Sequence, residues 1–240
     1  MFELIRSRSK HRCWTGALGL AVVIVAFLAT DALAHGVAEK DGAFLENVSG
    51  FQFAPFVYLG AKHMVTGYDH LLFLVGVIFF LYRMKDIALY VSLFAIGHST
   101  TLLLGVLAGI EANPFIVDAI IGLSIVYKAF ENIGGFRRVF GIDPDTRKAV
   151  LIFGFFHGFG LATKLQEYTL SADGLVPNII AFNIGVELGQ FAALAVILLL
   201  MNLWRTSNSF LRSGYYANTL LMAAGFIFIG YQLTGFWAVT

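Results

Sequence analysis

The sequence predicts an all-α membrane protein, a bundle of about six transmembrane helices behind a cleavable signal peptide. Three observations predict it. Of the 240 residues, 58% are apolar and only 13% are charged, with a mean hydropathy of +0.79, where a soluble domain has roughly a quarter of its residues charged. Apolar stretches recur along the chain at the length a spanning helix needs, about 20 residues. The loops between them alternate between rich and poor in Lys and Arg. Spans on this scale leave no room for a separate soluble domain, so residues 35–240 read as one transmembrane domain. The formal net charge of +1 does not imply nucleic acid, because in a membrane chain the sharing of basic residues between loops matters more than their sum.

Residues 1–34 begin with Arg6, Arg8, Lys10 and Arg12, continue with an apolar core from Gly16 to Ala29, and end in Ala32-Leu33-Ala34. Basic start, short apolar core and A-x-A ending are the parts of a secretory signal peptide. A core of 14 residues is short for a span, which favours cleavage after Ala34 over an uncleaved anchor and makes His35 the first residue of the mature chain. Cys13, the single cysteine, lies in the removed segment. The mature protein then has no disulfide and no thiolate, and any metal site must be built from nitrogen and oxygen.

Six apolar stretches follow, at 53–82, 87–110, 115–134, 149–165, 176–203 and 216–238. Pro55, Pro114 and Pro177 sit near the starts of three of them, where the missing N–H costs nothing; Pro144 falls in a polar loop. Arg83 and Lys85, then Arg137, Arg138, Arg147 and Lys148, then Arg205 and Arg212 occupy alternate loops, which are therefore cytoplasmic, with both mature termini outside. The first stretch exceeds one straight span and is interrupted by Gly60 and Gly67. A broken or partly re-entrant helix is expected there, and such backbone is tolerated at membrane depth only against protein or a watery cavity. Gly105/Gly109, Gly154/Gly158 and Gly185/Gly189 have the spacing that lets helices approach closely.

Against this apolar background stand His63, Asp69 and His70 in the first stretch, His98 in the second, Asp118, Lys128 and Glu131 in the third, His157 in the fourth, and Asn183, Glu187 and Gln190 in the fifth. An ionisable group at the bilayer centre costs at least about 2.5–3.5 kcal/mol on insertion scales, so such groups face a bundle interior, pair with one another or serve function. Seven helical residues return to nearly the same face, which aligns His63 with His70 if the helix is continuous. The same arithmetic groups Asn183, Glu187 and Gln190 in one stripe, and Ser124, Lys128 and Glu131 in another. Lys128 and Glu131 are spaced to pair and read as structural. Imidazole with carboxylate suits Ni, Co, Zn, Cu or Fe, whereas Mg and Ca prefer all-oxygen shells. His63, Asp69, His70, His98, His157 and Glu187 are the candidate metal ligands, with Glu131, Asn183 and Gln190 as supporting polar groups. Asp69 is either a direct ligand or the group that orients the His70 ring.

His63-Met64-Val65-Thr66-Gly67-Tyr68-Asp69-His70 matches an H-x5-D-H signature, and Phe156-His157-Gly158 begins a second motif, F-H-G-x-A-H-G-x-E. With the signal peptide and six spans, the chain resembles the HupE/UreJ family over essentially its whole mature length. The resemblance implies an inner-membrane nickel or cobalt permease of bacteria with the histidine motifs involved in transport. Leu161 stands where the second motif has its second histidine, and Lys164 where it has glutamate, which marks a divergent branch.

The expected function is a permease for a divalent transition metal ion, not an enzyme, with nickel or cobalt as substrate and no permanently bound cofactor. The alternatives are an intramembrane metalloenzyme, with Glu187 as base, and a non-transporting accessory protein that holds metal. The expected partners are the lipid bilayer and the metal ion, with a homo-oligomer left open. No G-x-x-x-x-G-K-[ST] occurs, so a nucleotide is not the drive. Gly67 to Leu72 loosely echoes Gly154 to Phe159, a hint of two inverted halves of three spans each.

Overall fold

The computed structural model describes residues 44–167 and 171–239; the proposed signal peptide, Cys13 and His35 lie outside the described residues. The first apolar stretch forms two helices, α1 (Phe53–Thr66) and α2 (Tyr68–Ile78), separated by Gly67, whose extended backbone has φ −71 and ψ 100. The expected break is present at Gly67, whereas Gly60 lies inside the unbroken α1, packed against the Phe182 carbonyl, and does not interrupt it. Then follow α3 (Met84–Ala108), α4 (Pro114–Asn132), the short α5 (Gly135–Phe140), α6 (Thr146–Gln166), α7 (Leu175–Arg205) and α8 (Phe210–Val239). No strand occurs among the described residues.

Local chemistry explains the helix ends. Asn113 caps α4 by accepting from the Ile116 N–H at 3.2 Å, with Pro114 in the first helical position, where its fixed φ suits the helix. Asp145 does the same for α6, accepting from the Arg147 N–H at 3.0 Å. The α3 helix stops at Gly109, which takes a left-handed φ of 62, a conformation glycine adopts without steric cost. Gly109 is thus a terminator with nothing nearby for a side chain to strike, and the packing role expected from its spacing with Gly105 does not apply to it. Several helices run past the hydropathy limits because Thr146, Arg147, Arg205 and Ser213 continue the helical turn beyond the apolar core.

Four helices, α3, α6, α7 and α8, are long and apolar enough to cross a membrane. The other two apolar stretches fall short for different reasons. Gly67 divides the first into pieces of 14 and 11 residues, and α4 carries Asp118, Lys128 and Glu131 within its 19 residues. The basic loops all gather at one end of the bundle, called the basic end below. There Arg205 donates from Nη2 to the carbonyls of Ile78 and Phe79 at 2.5 and 2.9 Å, satisfying the carbonyls left over where α2 stops.

Three helix pairs make the closest contacts: α3 with α6, α1 with α7, and α4 with α8. Each is in contact through glycine. A Cβ added at Gly154 would lie 2.6 Å from the Phe94 carbonyl oxygen, and one at Gly158 would fall on the His98 carbonyl. In the second pair, Gly185 faces the Val57 carbonyl and Gly60 the Phe182 carbonyl, and in the third, Gly225 faces Val126 and the Gly122 carbonyl. The packing expected of Gly154/Gly158 and Gly185/Gly189 is present. Gly60, Gly97, Gly122 and Gly225 share it without any four-residue spacing to announce them.

Gly158→Val should therefore cost at or above the roughly 1–3 kcal/mol typical of overpacking, since backbone, not a movable side chain, occupies the space. Gly230→Ala, on α8 with nothing within 4 Å, should be neutral or stabilising. Thermal unfolding in detergent separates the two; equal midpoints would mean that the α3 and α6 backbones are not in contact.

Candidate metal centre

The break at Gly67 sets the geometry of the site. With no side chain at this position, the chain turns between α1 and α2 while Asp69 and His70 fold back over the gap; an added Cβ would lie 2.6 Å from His70 Nδ1 and 3.1 Å from Asp69 Oδ1. Asp69 occupies the first turn of α2, where the positive end of the helix dipole favours a carboxylate. Its Oδ1 accepts from His70 Nδ1 at 3.0 Å, with both side chains buried. Of the two roles weighed for Asp69, this hydrogen bond fits the orienting one. Bonding at Nδ1 fixes the tautomer, and the Nε2 lone pair of His70 points onward.

Three other imidazoles surround His70. The ring centres of His63, His98 and His157 lie 5.0, 6.1 and 5.1 Å from it. One ring nitrogen from each of His63, His70 and His98 lies within 4.8 Å of the other two. Tetrahedral metal–nitrogen bonds of about 2.0–2.1 Å put any two ligand nitrogens about 3.4 Å apart, so the rings would have to close inward to share one ion. His157 donates from Nδ1 to the Phe153 carbonyl at 2.8 Å, an arrangement that likewise leaves Nε2 as the lone-pair nitrogen. His98 is fully buried, and neither of its ring nitrogens, nor Nε2 of His70, has a hydrogen-bond partner among the described residues. Leaving a buried polar group unsatisfied costs about 1–3 kcal/mol, which makes these nitrogens the strongest physical sign of a ligand.

Helix pairing accounts for the convergence. Gly158 rests on the His98 backbone, and the Thr101 hydroxyl donates to the Phe155 carbonyl at 2.7 Å, so His98 and His157 stand at one level of α3 and α6. His63 comes from α1, held against α7. Phe73 and Phe94 wall the cluster, their rings 5.3 and 4.9 Å from His157. A small cavity runs from His70 toward the basic end, lined by Phe73, Val77, Tyr90, Val91, Val150 and Gln190.

The remaining sequence candidates divide. Gln190 is buried and shares this cavity with His70, its Nε2 without a partner among the described residues. Asn183 is buried on the same side of α7 and donates to the Ile179 carbonyl at 3.2 Å. Glu187 is exposed and has no hydrogen bond or ion pair among the described residues. The structure does not bring it to the imidazoles, and the stripe joining it to Asn183 and Gln190 is corrected accordingly. Gly185 and Gly189 face α1, and Glu187, two residues from each, lies about 200° around the helix from both. Glu131 belongs to a separate network at the basic end: Lys128 donates to it at 2.8 Å, the Thr146 hydroxyl also donates to it, and Asn132 next to it donates to Asn218 and to the Gly76 carbonyl, both at 2.8 Å. The Lys128 pairing is the one expected from spacing.

A bundle of apolar helices enclosing an imidazole cluster defines a membrane protein with a candidate transition-metal site. The family model described as HupE / UreJ protein matches residues 39–240, and the chain belongs to that family. No curated protein and no solved structure matches it.

In titrations of the purified protein with Ni²⁺, Asp69→Asn should weaken binding about tenfold to a hundredfold, the usual loss when the partner of a ligating imidazole is removed. Glu187→Gln should leave the affinity within about twofold. A large loss with Glu187→Gln would show that α7 turns this carboxylate inward in solution.

Proposed function

We propose that the protein is a permease of the bacterial inner membrane for a divalent transition metal ion, with nickel or cobalt as substrate. The observation that carries the reading is the convergence of His63 and His70, on either side of the break between α1 and α2, with His98 and His157 near mid-length of α3 and α6. Six spans follow if α1 with α2, and α4, complete the set, with the basic loops cytoplasmic and the mature termini periplasmic. Imidazoles alone, with Asp69 orienting one of them, bind nickel or cobalt well enough to replace part of the hydration shell. They lack the thiolates that would retain the ion, and transport requires release as much as capture.

Helix pairing supports the same reading. Counting α1 with α2 as the first span, the pairs are first with fifth, second with fourth, and third with sixth. Exchanging the first three spans for the last three maps this set onto itself, and the third pair meets at Gly122 and Gly225. Inverted halves with the substrate site between them are a common transporter plan.

The test is uptake by proteoliposomes holding an ion-sensitive dye, with Ni, Co, Zn, Mn, Fe(II) and Cu offered outside. Nickel or cobalt should enter above the protein-free background, and His70→Ala should reduce entry to that background. Entry of none of the six would overturn the permease reading. A stoichiometric metal that survives purification and does not exchange would favour the accessory or enzyme alternatives.

A further inference from the structure

Lys164 and Asp118 form an ion pair that the imidazole site does not use. Lys164 Nζ lies 2.8 Å from Asp118 Oδ2, with the side chains 12% and 5% exposed. The second carboxylate oxygen of Asp118 is buried with no hydrogen-bond partner among the described residues. Gly160 lies beside that oxygen: a Cβ there would sit 3.6 Å from it and against Val117 and Ile121.

The position of the pair is informative. Lys164 follows His157 by seven residues on α6, so it stands on the same helical face, about 10 Å nearer the end away from the basic loops. Asp118 is in the second turn of α4, near that same end. Leu161, buried, lies between His157 and Lys164 on that face. On the other side of the imidazoles is the cavity that runs toward the basic end. The cluster thus has space on its inner side and a salt bridge on its outer side. The pair also joins α6 to α4, helices that belong to different tightly packed pairs.

A buried ion pair contributes little to folding, because desolvating both charges offsets their attraction; breaking it one partner at a time is costly. It is therefore poorly explained as a staple and well suited as a latch, held until another cation takes the place of the ammonium. We propose that Asp118 and Lys164 are the outer gate of the imidazole site. The gate is closed while they pair, and it opens when an incoming divalent cation binds the Asp118 carboxylate and displaces Lys164. Electrostatics supply the coupling: a divalent ion on Asp118 outcompetes a single positive charge and repels the displaced ammonium away from the path. This gate rests on the permease reading for its purpose and on the loop charges for its direction.

The test is thiol accessibility in the full-length chain with Cys13→Ser, in right-side-out vesicles treated with a membrane-impermeant cationic methanethiosulfonate. The reporter is Leu161→Cys, below the gate, and Val91→Cys, on the inner cavity, serves as control. With the pair intact, Leu161→Cys should be protected; Lys164→Met or Asp118→Asn should each raise its labelling rate at least tenfold and leave Val91→Cys unchanged. An unchanged rate at Leu161→Cys in both variants would overturn the gate, and so would an equal rise at both reporters, which would mean general loosening. The readout needs no transport. A responsive gate in a protein that moves no metal would therefore reject the permease reading and retain the access route, whereas uptake without a labelling response would do the reverse.

Discussion

Backbone contact through glycine is the constraint on which the rest of the structure depends. Lipid tails are as apolar as leucine, so helices in a membrane gain little by burying hydrophobic side chains against one another and associate through close packing and hydrogen bonds. Here Gly154 and Gly158 bring α6 onto the carbonyls of Phe94 and His98. That contact sets the level of His98 and His157 along their helices, and the Thr101 hydroxyl bonded to the Phe155 carbonyl holds it. Gly60, Gly185 and Gly189 do the same for α1 and α7, which places His63. With bulkier residues at these positions the helices would stand farther apart, and the imidazole nitrogens would no longer come within reach of a common ion.

The break at Gly67 solves a different difficulty. A continuous helix from Phe53 to Ile78 would carry His63 and His70 two turns apart, about 10 Å along the axis, too far for one ion. Interrupting the helix lets the chain fold back until the two ring centres are 5.0 Å apart, and it creates a second helix N-terminus that favours the buried Asp69 carboxylate. The freed backbone groups are not left idle: the Gly67 N–H donates to the His63 carbonyl at 2.9 Å, and the Leu71 N–H to the Gly67 carbonyl at 3.1 Å. Far along α2, the carbonyls at its other end are met by Arg205. These bonds supply partners within the protein on both sides of the irregular segment.

Much of this was legible in the sequence, and the reasons for the remainder are physical. Long apolar runs, proline near the helix starts and the alternation of basic loops report on single helices in one solvent, so the approximate extent of the helices and the break at Gly67 were legible, while Gly60 and the polar helix ends were not. The four histidines stood out because imidazole is costly in an apolar run. What failed was rotation. A stripe through Asn183, Glu187 and Gln190 spans about 60° of the α7 circumference, and whether its edge lies inside or outside depends on which face meets a neighbour. Gly185 and Gly189 held that information, since the face they present to α1 is opposite Glu187. Asp118 was visible as a buried charge, yet its pairing with Lys164, 46 residues away, depends on α4 and α6 lying side by side, which no local pattern encodes. The same is true of Asn132 and Asn218.

The distribution of contacts also bears on how the site could change. Within each glycine-bonded pair, backbone rests on backbone, and sliding one helix past the other would force glycine positions onto side chains. Between pairs, contacts are sparser and made by side chains, as between α4 and α6. The imidazoles straddle this boundary: His63 belongs to the α1 and α7 pair, His98 and His157 to the α3 and α6 pair, and His70 to α2, joined to the first pair through Gly67 at one end and Arg205 at the other. A ligand that drew these rings together would act on the joints between stiff units, where displacement is cheapest, and not within them. The ring nitrogens of His63, His70 and His98, within 4.8 Å of one another, stand wider than the roughly 3.4 Å that tetrahedral binding of one ion requires. Where ring rotation alone does not close that distance, one pair moves toward another, and occupancy of the site is then linked to the relative position of the pairs.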